Sequence, residues 1–347
     1  MIEVYSDVVQ FRGSHYDFGY MQGNLLKDSP ILANRKKQWQ SMRKTQFTTN
    51  EFEYIRLMNN IAPNLLEELQ GLADALQISL HESIREFGGY YKEDGRSGCT
   101  IFVGNEFMIR NYDNDPLSYE GRFVLFKPTT EGYATIGPSM QITGRTDGMN
   151  EKGLAIGYNF INTKHSKDGY VCNMITRIVL ETCANVQEAI KLLEEIPHRH
   201  AFSYVLIDPF ESVIVEASPR TVKLRKGNVC ANHFELLTEE NRYRIDDSLR
   251  RVHIAEEQGI TDDVRQAYEL MNNPKFGIFS NDYGAWSGTI HTALYVPKTM
   301  EVTFALGHNK RPIKLNRSIF DMEERWNIKR MRGYLDTNTP FVNMVTL

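Results

Sequence analysis

The pair Gly98-Cys99 is the part of the sequence whose residue types best fit a chemical reaction. Glycine lacks a Cβ, so it tolerates strained dihedral angles and leaves its carbonyl open to the neighbouring thiol. Attack of the Cys99 sulfur on the Gly98 carbonyl would give a thioester, and hydrolysis would make Cys99 a new N-terminus. An α-amino group has a reference pKa of about 7.7–8.0, so it can serve as general base for its own thiol. Taken alone, the pair also fits a buried, inert thiol.

Two charged residues follow Cys99 at a spacing that predicts that they lie close to it in the folded chain. The segment after Cys99 predicts a β-hairpin with its turn at Gly104-Asn105, and the second strand carries Arg110 and Asp113. A guanidinium beside the cysteine would stabilise a thiolate, and a carboxylate would hold the new ammonium group. The alternative is a surface salt bridge between the two, worth at most about 1 kcal/mol.

The elements that must position these residues change in character near residue 98. Residues 1–98 predict mainly helices, with apolar residues at helical spacing around Met58 and Leu69 and a capping box at Ser79 and Glu82. From residue 99 strands dominate, with helical blocks at Met174–Ile196 and about Asp246–Glu257 and an extra helix after Ser318. The predicted strands are Phe107–Arg110, Phe123–Phe126, Gly153–Phe160, Ser203–Ile207, Val213–Ala217, Thr292–Val296 and Val302–Leu306. This order is typical of an α+β fold.

Composition narrows the class of protein. The 347 residues are 41% hydrophobic and 24% charged with a net charge of -4, which favours a globular protein and disfavours a nucleic-acid partner. The N-terminus lacks the features of a secretory signal, and no apolar run is long enough to span a membrane. Four cysteines without CxxC spacing favour free thiols in a reducing compartment, so we expect a cytoplasmic protein. His198-Arg199-His200 invites a metal site, but no third ligand has a suitable spacing, so we expect no metal.

The segments GCTIF and RNYDND around Cys99 resemble the nucleophile hairpin of the N-terminal-nucleophile cysteine hydrolases. The resemblance is closest to the acyl-coenzyme A:6-aminopenicillanic acid acyltransferase-like family (peptidase family C45), with choloylglycine hydrolases and penicillin V acylases as more distant relatives. It covers roughly residues 11–310. The further segments that resemble the family, in the expected order, are GSHYDFGYMQG, PNLLEELQGLADAL, TDGMNEKGLAIGYNF, RIVLETCANVQEAIKLLEEIP and ANHF.

The resemblance implies a set of site residues. Cys99 matches the nucleophile that autoproteolysis exposes, and Arg110 and Asp113 match the positions beside it. Asn232 matches the oxyanion-hole asparagine, whose loss typically costs about 10²–10³ in rate. From the residues alone, Asn232 is equally well an ordinary residue at a strand end.

Two further positions are assigned with competitors. Asn159 is similar to a second asparagine near the oxyanion hole of choloylglycine hydrolases, with Tyr158 as the competitor and a candidate substrate contact. Arg250 resembles the distal active-site arginine of the family, and its competitors are Arg242, Arg244 and Arg251. The aromatic residues Tyr112, Tyr158, Phe160 and Trp286 suggest a pocket for an apolar acyl group, although they equally suit a core.

The fold implied by the resemblance is the four-layer αββα sandwich, with residues 1–98 as a helical propeptide kept as a small subunit and 99–347 as the catalytic unit. The implied activity is hydrolysis of a small N-acyl amide through a Cys99 thioester, with acyl transfer as the other fate. The implied partner is a small acyl amide or acyl donor, without a cofactor. Alternatives are an acylase for conjugated bile acids or penicillin V and a non-catalytic, uncut binding protein. The sequence leaves open whether the chain forms a homo-oligomer.

Overall fold

The computed structural model describes residues 1–41, 50–90, 98–163, 165–242, 245–259, 262–285, 287–309, 311–321 and 326–346, without the side chains of 38–41. The α-helices in these ranges are α1 (His15–Leu26), α2 (Pro30–Ser41), α3 (Glu51–Ile61), α4 (Asn64–Leu76), α5 (Leu80–Phe87), α6 (Cys172–Thr182), α7 (Val186–Glu195), α8 (Asp246–Glu257), α9 (Val264–Asn272) and α10 (Ser318–Asp321).

The strands in the same ranges are β1 (Ile2–Gly13), β2 (Thr100–Val103), β3 (Met108–Asp113), β4 (Arg122–Pro128), β5 (Thr135–Met140), β6 (Gly144–Arg145), β7 (Asp147–Asn150), β8 (Ala155–Ile161), β9 (Ala201–Ile207), β10 (Ser212–Ala217), β11 (Val222–Arg225), β12 (Val229–Cys230), β13 (Thr289–Val296), β14 (Glu301–Leu306), β15 (Ile313–Leu315) and β16 (Arg330–Leu335).

The strands form two sheets that face each other. The larger sheet has the order β11-β10-β9-β8-β7-β5-β4-β1-β16, with β6 paired to β5, and the smaller has the order β12-β2-β3-β13-β14-β15. Strands β2 and β13 of the smaller sheet contact β8 and β7 of the larger one. Helices α6 and α7 contact the larger sheet, and α8 and α9 contact the smaller sheet. The predicted α+β class and four-layer αββα sandwich are therefore confirmed.

The hairpin predicted after Cys99 lies in the smaller sheet. Strands β2 and β3 pair antiparallel with Ile101 opposite Arg110 and Thr100 opposite Asn111. The backbone N–H of Gly104 donates to the carbonyl of Phe107 and closes the turn. Cys99, just before β2, therefore lies near the end of β3, as the spacing predicts.

The prediction that residues 1–98 are helical is wrong for the N-terminus. Strand β1 pairs parallel with β4 and antiparallel with β16, so it lies inside the larger sheet. Its β-branched residues Ile2, Val4, Val8 and Val9 favour an extended backbone. The segment therefore contributes a strand as well as helices to the sandwich.

Two predicted helices also need correction. The block Met174–Ile196 is divided into α6 and α7, because Asn185 caps α7 by accepting the backbone N–H of Glu188. After Ser318 the described chain forms only the short α10 and then strand β16, where buried Met331 and Leu335 alternate with exposed residues. Residues 322–325 of the predicted tail helix lie outside the described residues. The helix predicted at about Asp246–Glu257 and the capping box of α5 are confirmed.

The N-terminal helices are joined to the rest of the molecule by a buried polar cluster. Arg177 on α6 donates to Glu68 on α4 at 2.7 Å and to Glu181 at 2.6 Å, and all three side chains are buried. His15 on α1 contacts the same Glu181 at 3.2 Å. Among the described residues, no helix combines the length and apolar character that a membrane crossing requires.

Candidate active site

Cys99 lies fully buried between the two sheets. Its sulfur accepts a hydrogen bond from Nη2 of Arg110 at 3.4 Å and from the backbone N–H of Asp113 at 3.4 Å. Both donors come from β3, whose pairing with β2 fixes their distance from the cysteine. The structure therefore brings the three predicted residues Cys99, Arg110 and Asp113 together.

The guanidinium of Arg110 crosses the space between the sheets. Gly157 on β8 makes this crossing feasible, since a Cβ there would lie 3.0 Å from the Arg110 side chain. The guanidinium carbon lies 4.7 Å from the ring centres of both Tyr112 and Tyr158. Nη2 also donates to the backbone carbonyl of Tyr158. Burial disfavours the charged form, but the Cys99 sulfur and the Asp147 carboxylate raise the pKa of Arg110 above its usual value.

Asp147, which sequence reasoning missed, holds the other edge of this guanidinium. Its carboxylate accepts from Nη1 of Arg110 at 2.7 Å and contacts Nε2 of His291 at 3.0 Å, and it also accepts from the Tyr295 hydroxyl. Burial opposes ionisation, yet His291 and Arg110 hold the pKa of Asp147 below its usual range. The available signal was indirect: Asp147 lies within the TDGMNEKGLAIGYNF segment, and His291 and Tyr295 lie four residues apart on one strand.

The carboxylate of Asp113 lies beside the junction that self-cleavage would cut. A Cβ built on Gly98 would be 3.2 Å from Oδ2 of Asp113, so the carboxylate and the Gly98 backbone are neighbours. Burial raises the pKa of Asp113 to about 8, although Arg251 and a hydrogen bond with Thr289 lower it. Burial therefore favours the neutral form of this carboxyl group more than water does.

Asn232 is joined to Cys99 by an arginine on α8. Its Nδ2 donates to the carbonyl of Phe160 at 2.8 Å, and its Oδ1 accepts from Nη2 of Arg251 at 3.0 Å. Nη1 of Arg251 in turn donates to the carbonyl of Cys99 at 2.7 Å. Arg251 therefore connects the Asn232 side chain to the Cys99 backbone.

Arg250, the arginine chosen from the sequence, is not part of this cluster. Its side chain is half exposed and binds Asp247 and the carbonyl of Gly277. Its neighbour Arg251 is 3% exposed and makes the contacts with Cys99 and Asn232. The helical rotation of about 100° per residue explains the difference, because adjacent residues of a helix face different directions.

The second predicted asparagine has other contacts. Nδ2 of Asn159 donates to the carbonyl of Cys230 at 2.9 Å, and its buried Oδ1 has no hydrogen-bond partner among the residues that the structure describes. Tyr158 contributes its carbonyl and ring to Arg110, as described above. His198 is buried with Nε2 2.8 Å from the carbonyl of Leu193. Of the remaining candidates, Arg244 and Trp286 lie outside the described residues.

A cavity of about 580 Å³ lies beside Asn232, with the next residue, His233, in its lining. Three of its eight lining residues are apolar and five are polar or charged. His233, a lining residue, shares the Ser248 hydroxyl with the backbone N–H of Asn232. The lining residues are His233, Phe234, Glu235, Thr238, Asn241, Arg242, Ile245 and Leu249.

The two facing sheets, with helices packed on both outer sides, define a four-layer αββα protein, and Cys99 lies just before β2 of the smaller sheet. The sequence model of the acyl-coenzyme A:6-aminopenicillanic acid acyl-transferase family matches residues 103–311, more than half of the chain, and the chain belongs to this family. The match begins after Cys99 and includes Arg110, Asp113, Asp147 and Asn232. A comparison with curated proteins finds no significant match.

Solved structures show a partial likeness. A penicillin V acylase from Agrobacterium tumefaciens is 17% identical, with 64% of this chain and 86% of that chain covered and a TM-score of 0.43. A conjugated bile acid hydrolase from Clostridium perfringens is 15% identical, with 72% and 100% covered and a TM-score of 0.45. An N-acylethanolamine-hydrolyzing acid amidase orthologue from Caenorhabditis elegans is 13% identical, with 58% and 92% covered and a TM-score of 0.42.

Proposed function

We propose that this chain is a cysteine N-terminal-nucleophile enzyme that cuts itself between Gly98 and Cys99 and then acts on a small N-acyl amide. The observation that carries the proposal is the environment of the Cys99 sulfur. It lies between the Arg110 guanidinium and a backbone N–H, with the Asp113 carboxylate beside the Gly98-Cys99 junction. Burial of a cation is costly, and a guanidinium 3.4 Å from a thiol favours the thiolate, so this environment suits a reactive cysteine better than an inert one.

Self-cleavage begins with attack of the Cys99 sulfur on the Gly98 carbonyl. The C–N bond then breaks, the nitrogen of Cys99 takes a proton, and the acyl group of Gly98 is held as a thioester. Water hydrolyses the thioester, which leaves a carboxylate on Gly98 and a free thiol and amine on Cys99. The products are residues 1–98 and 99–347, which we propose to remain together as the small and catalytic subunits.

The free amine of Cys99 then serves as general base for its thiol. Asp113 would hold this group as an ammonium between proton transfers, and Arg110 would stabilise the thiolate. The sulfur attacks the substrate carbonyl and forms an acyl thioester while the amine product leaves. Water completes the hydrolysis, and an amine in place of water would give acyl transfer.

Asn232 is the proposed donor to the oxyanion of these reactions. The amide nitrogen carries two N–H bonds, of which one donates to the Phe160 carbonyl. The second would donate to the tetrahedral oxygen, while Arg251 holds the amide oxygen in place. The cavity that His233 lines, which also includes the apolar residues Phe234, Ile245 and Leu249, is the proposed site for the apolar part of the substrate.

The test of self-cleavage is the intact mass of freshly purified protein under reducing conditions. We expect two chains, split between Gly98 and Cys99, whose masses together equal the full chain plus one water. The variant C99A is expected to remain one chain, and C172A, which changes another buried cysteine, is expected to be cut. A wild-type chain that remains whole, or a cut C99A, would contradict the proposal.

The test of catalysis uses the cut protein with penicillin V, a glycine-conjugated bile acid and a simple N-acyl amide. We expect acyl release from at least one of them, lost in C99A and after alkylation of Cys99 alone. Activity restricted to penicillin V or the bile acid would select that alternative. A protein that remains uncut and releases no acyl group from any of them would favour the non-catalytic binding protein.

A further inference from the structure

We propose that Asp147 is a positioning residue that acts on Cys99 through Arg110: it anchors one edge of the guanidinium so that the opposite nitrogen faces the sulfur. This inference rests on the proposed function, since it concerns the ionisation of the proposed nucleophile. It assigns a role to a carboxylate that lies across the sandwich on β7, in the other sheet from Cys99 and Arg110.

The geometry of the guanidinium fork carries the first step. Nη1 of Arg110 donates to Asp147 at 2.7 Å and to the Thr146 carbonyl at 2.8 Å, whereas Nη2 faces Cys99 and the Tyr158 carbonyl. A planar guanidinium fixed at one edge has its other edge fixed too. The contact between Nη2 and the sulfur is therefore determined by what holds Nη1.

The second step is that Asp147 is itself held firmly. Its oxygens contact the His291 ring, the Tyr295 hydroxyl and the Thr146 hydroxyl in addition to Arg110. Tyr119 contacts the far side of the His291 ring at 3.0 Å. Asp147, Arg110 and His291 each have no solvent exposure, so displacement of any of them would leave a buried polar group unpaired.

The third step concerns charge. The buried Arg110 cation has two acidic neighbours, the Asp147 carboxylate and the Cys99 thiol. The negative charge of Asp147 partly cancels the positive charge of Arg110, so the guanidinium stabilises the Cys99 thiolate less than it would alone. Asp147 thus fixes the place of the cation and limits its net effect on Cys99.

The experiment titrates the Cys99 thiol by the ultraviolet absorbance of its thiolate, with the curve of C99S subtracted. In D147N the amide oxygen still accepts from Arg110, but the negative charge is gone. We expect the pH midpoint of thiolate formation to fall by about one pH unit, the Coulomb effect of one charge at a separation of several ångströms. Wild type and the variants that keep Cys99 are compared in the same processing state, fixed by intact mass.

A matched control exists in the other buried cluster. Glu181 contacts Arg177 and His15, the same two residue types that contact Asp147, but none of these three residues touches Cys99. E181Q should lower stability without moving the thiolate midpoint. An unmoved midpoint in a folded D147N, or an equal change in E181Q, would overturn the proposal.

The variant R110K provides a second test if D147N proves insoluble. A lysine ammonium is a single point charge and cannot contact Asp147 and the sulfur with separate nitrogens. Held by Asp147, it should leave the sulfur, and the thiolate midpoint should rise. An unchanged midpoint in R110K also counts against the proposal. The titration needs no substrate, so a protein that lacks activity can still confirm or refute the role of Asp147.

Discussion

At the residue scale, burial and charge act against each other around Cys99. Burial opposes the ionisation of Arg110, Asp113 and Asp147, but neighbouring charges outweigh it at Arg110 and Asp147 and do not at Asp113. Cys99 and Asp147 favour the charged form of Arg110, and His291 and Arg110 favour the charged form of Asp147. At Asp113 burial outweighs the effect of the nearby arginines Arg251 and Arg110 and raises the pKa. The proposed cleavage would add a further cation near this carboxyl group, the new ammonium group of Cys99. The site therefore suits a carboxyl group that changes its charge when the chain is cut.

The raised pKa of Asp113 predicts a pH-dependent stability of the uncut protein. The ordinary pKa is about 3.9 and the folded value is about 8, so between these values the folded state binds more protons than the unfolded state. The free energy of unfolding should then fall as the pH rises from 4 to 8, by up to about 1.4 kcal/mol per pH unit from this group. Urea unfolding of C99A at several pH values should show this slope, and C99A/D113N should lose it. Equal slopes in the two proteins would refute the assignment.

Asn232 gives a second prediction at the residue scale. N232A should slow self-cleavage and acyl release by about 10²–10³, because it removes the proposed donor to the tetrahedral oxygen. The matched control is N228A, since Nδ2 of Asn228 also donates to a backbone carbonyl, that of Val103, but lies outside the site. Rates come from the appearance of the 99–347 chain and from product release. Equal rates for the two variants would remove Asn232 from the proposed oxyanion hole.

At the element scale, a hairpin and one helix position the site. The short turn between β2 and β3 aligns Arg110 and the end of β3 with Cys99, and α8 adds Arg251 from the outer layer. Asp247 on the first turn of α8 binds Nε of Arg251 at 2.8 Å and so orients it toward the cysteine. The helix thus holds Cys99, at the proposed cut just before β2.

The neighbouring arginines of α8 allow a matched comparison. R251M removes hydrogen bonds of a buried cation to Cys99 and Asn232, and each such bond is typically worth about 1.5–3 kcal/mol. We expect R251M to lower the free energy of unfolding by a few kcal/mol on this basis and to slow self-cleavage. R250M removes an exposed ion pair worth about 0–1 kcal/mol and should leave both quantities near wild type. Denaturant unfolding and intact mass over time measure them, and a larger effect of R250M would contradict the assignment.

What the sequence could predict follows from how local each signal is. The hairpin, α8 and the capping box of α5 depend on residues a few positions apart, and their positions are confirmed. The contact of Arg110 with Asp147 joins the two sheets, and no local pattern records which strands will face each other. Strand β1 was missed because its pairing partners, β4 and β16, are more than a hundred residues away. Adjacent residues of a helix face different directions, so an error of one residue in the alignment is enough to exchange Arg250 for Arg251.

At the scale of the whole molecule, the proposed cut between residues 98 and 99 would not divide the fold into separate bodies. Strand β1 lies between β4 and β16 in the larger sheet, so both of its edges are paired with strands of the 99–347 part. Glu68 and His15 also contact Arg177 and Glu181 in that part, in positions shielded from water. Removal of residues 1–98 would expose two strand edges and leave buried charges unpaired.

We therefore expect the two chains of the cut protein to remain one particle under native conditions. Size-exclusion chromatography should elute residues 1–98 and 99–347 together at the volume of uncut C99A, and denaturant should be needed to separate them. The variant E68Q, which removes the charge that contacts Arg177, should lower the denaturant concentration at which they separate. R332M, which breaks only the exposed ion pair with Glu3 on β1, should change this concentration little. A 1–98 chain that elutes alone without denaturant would show that the sheet does not hold the cut pieces, and the two-subunit arrangement would then have to be abandoned.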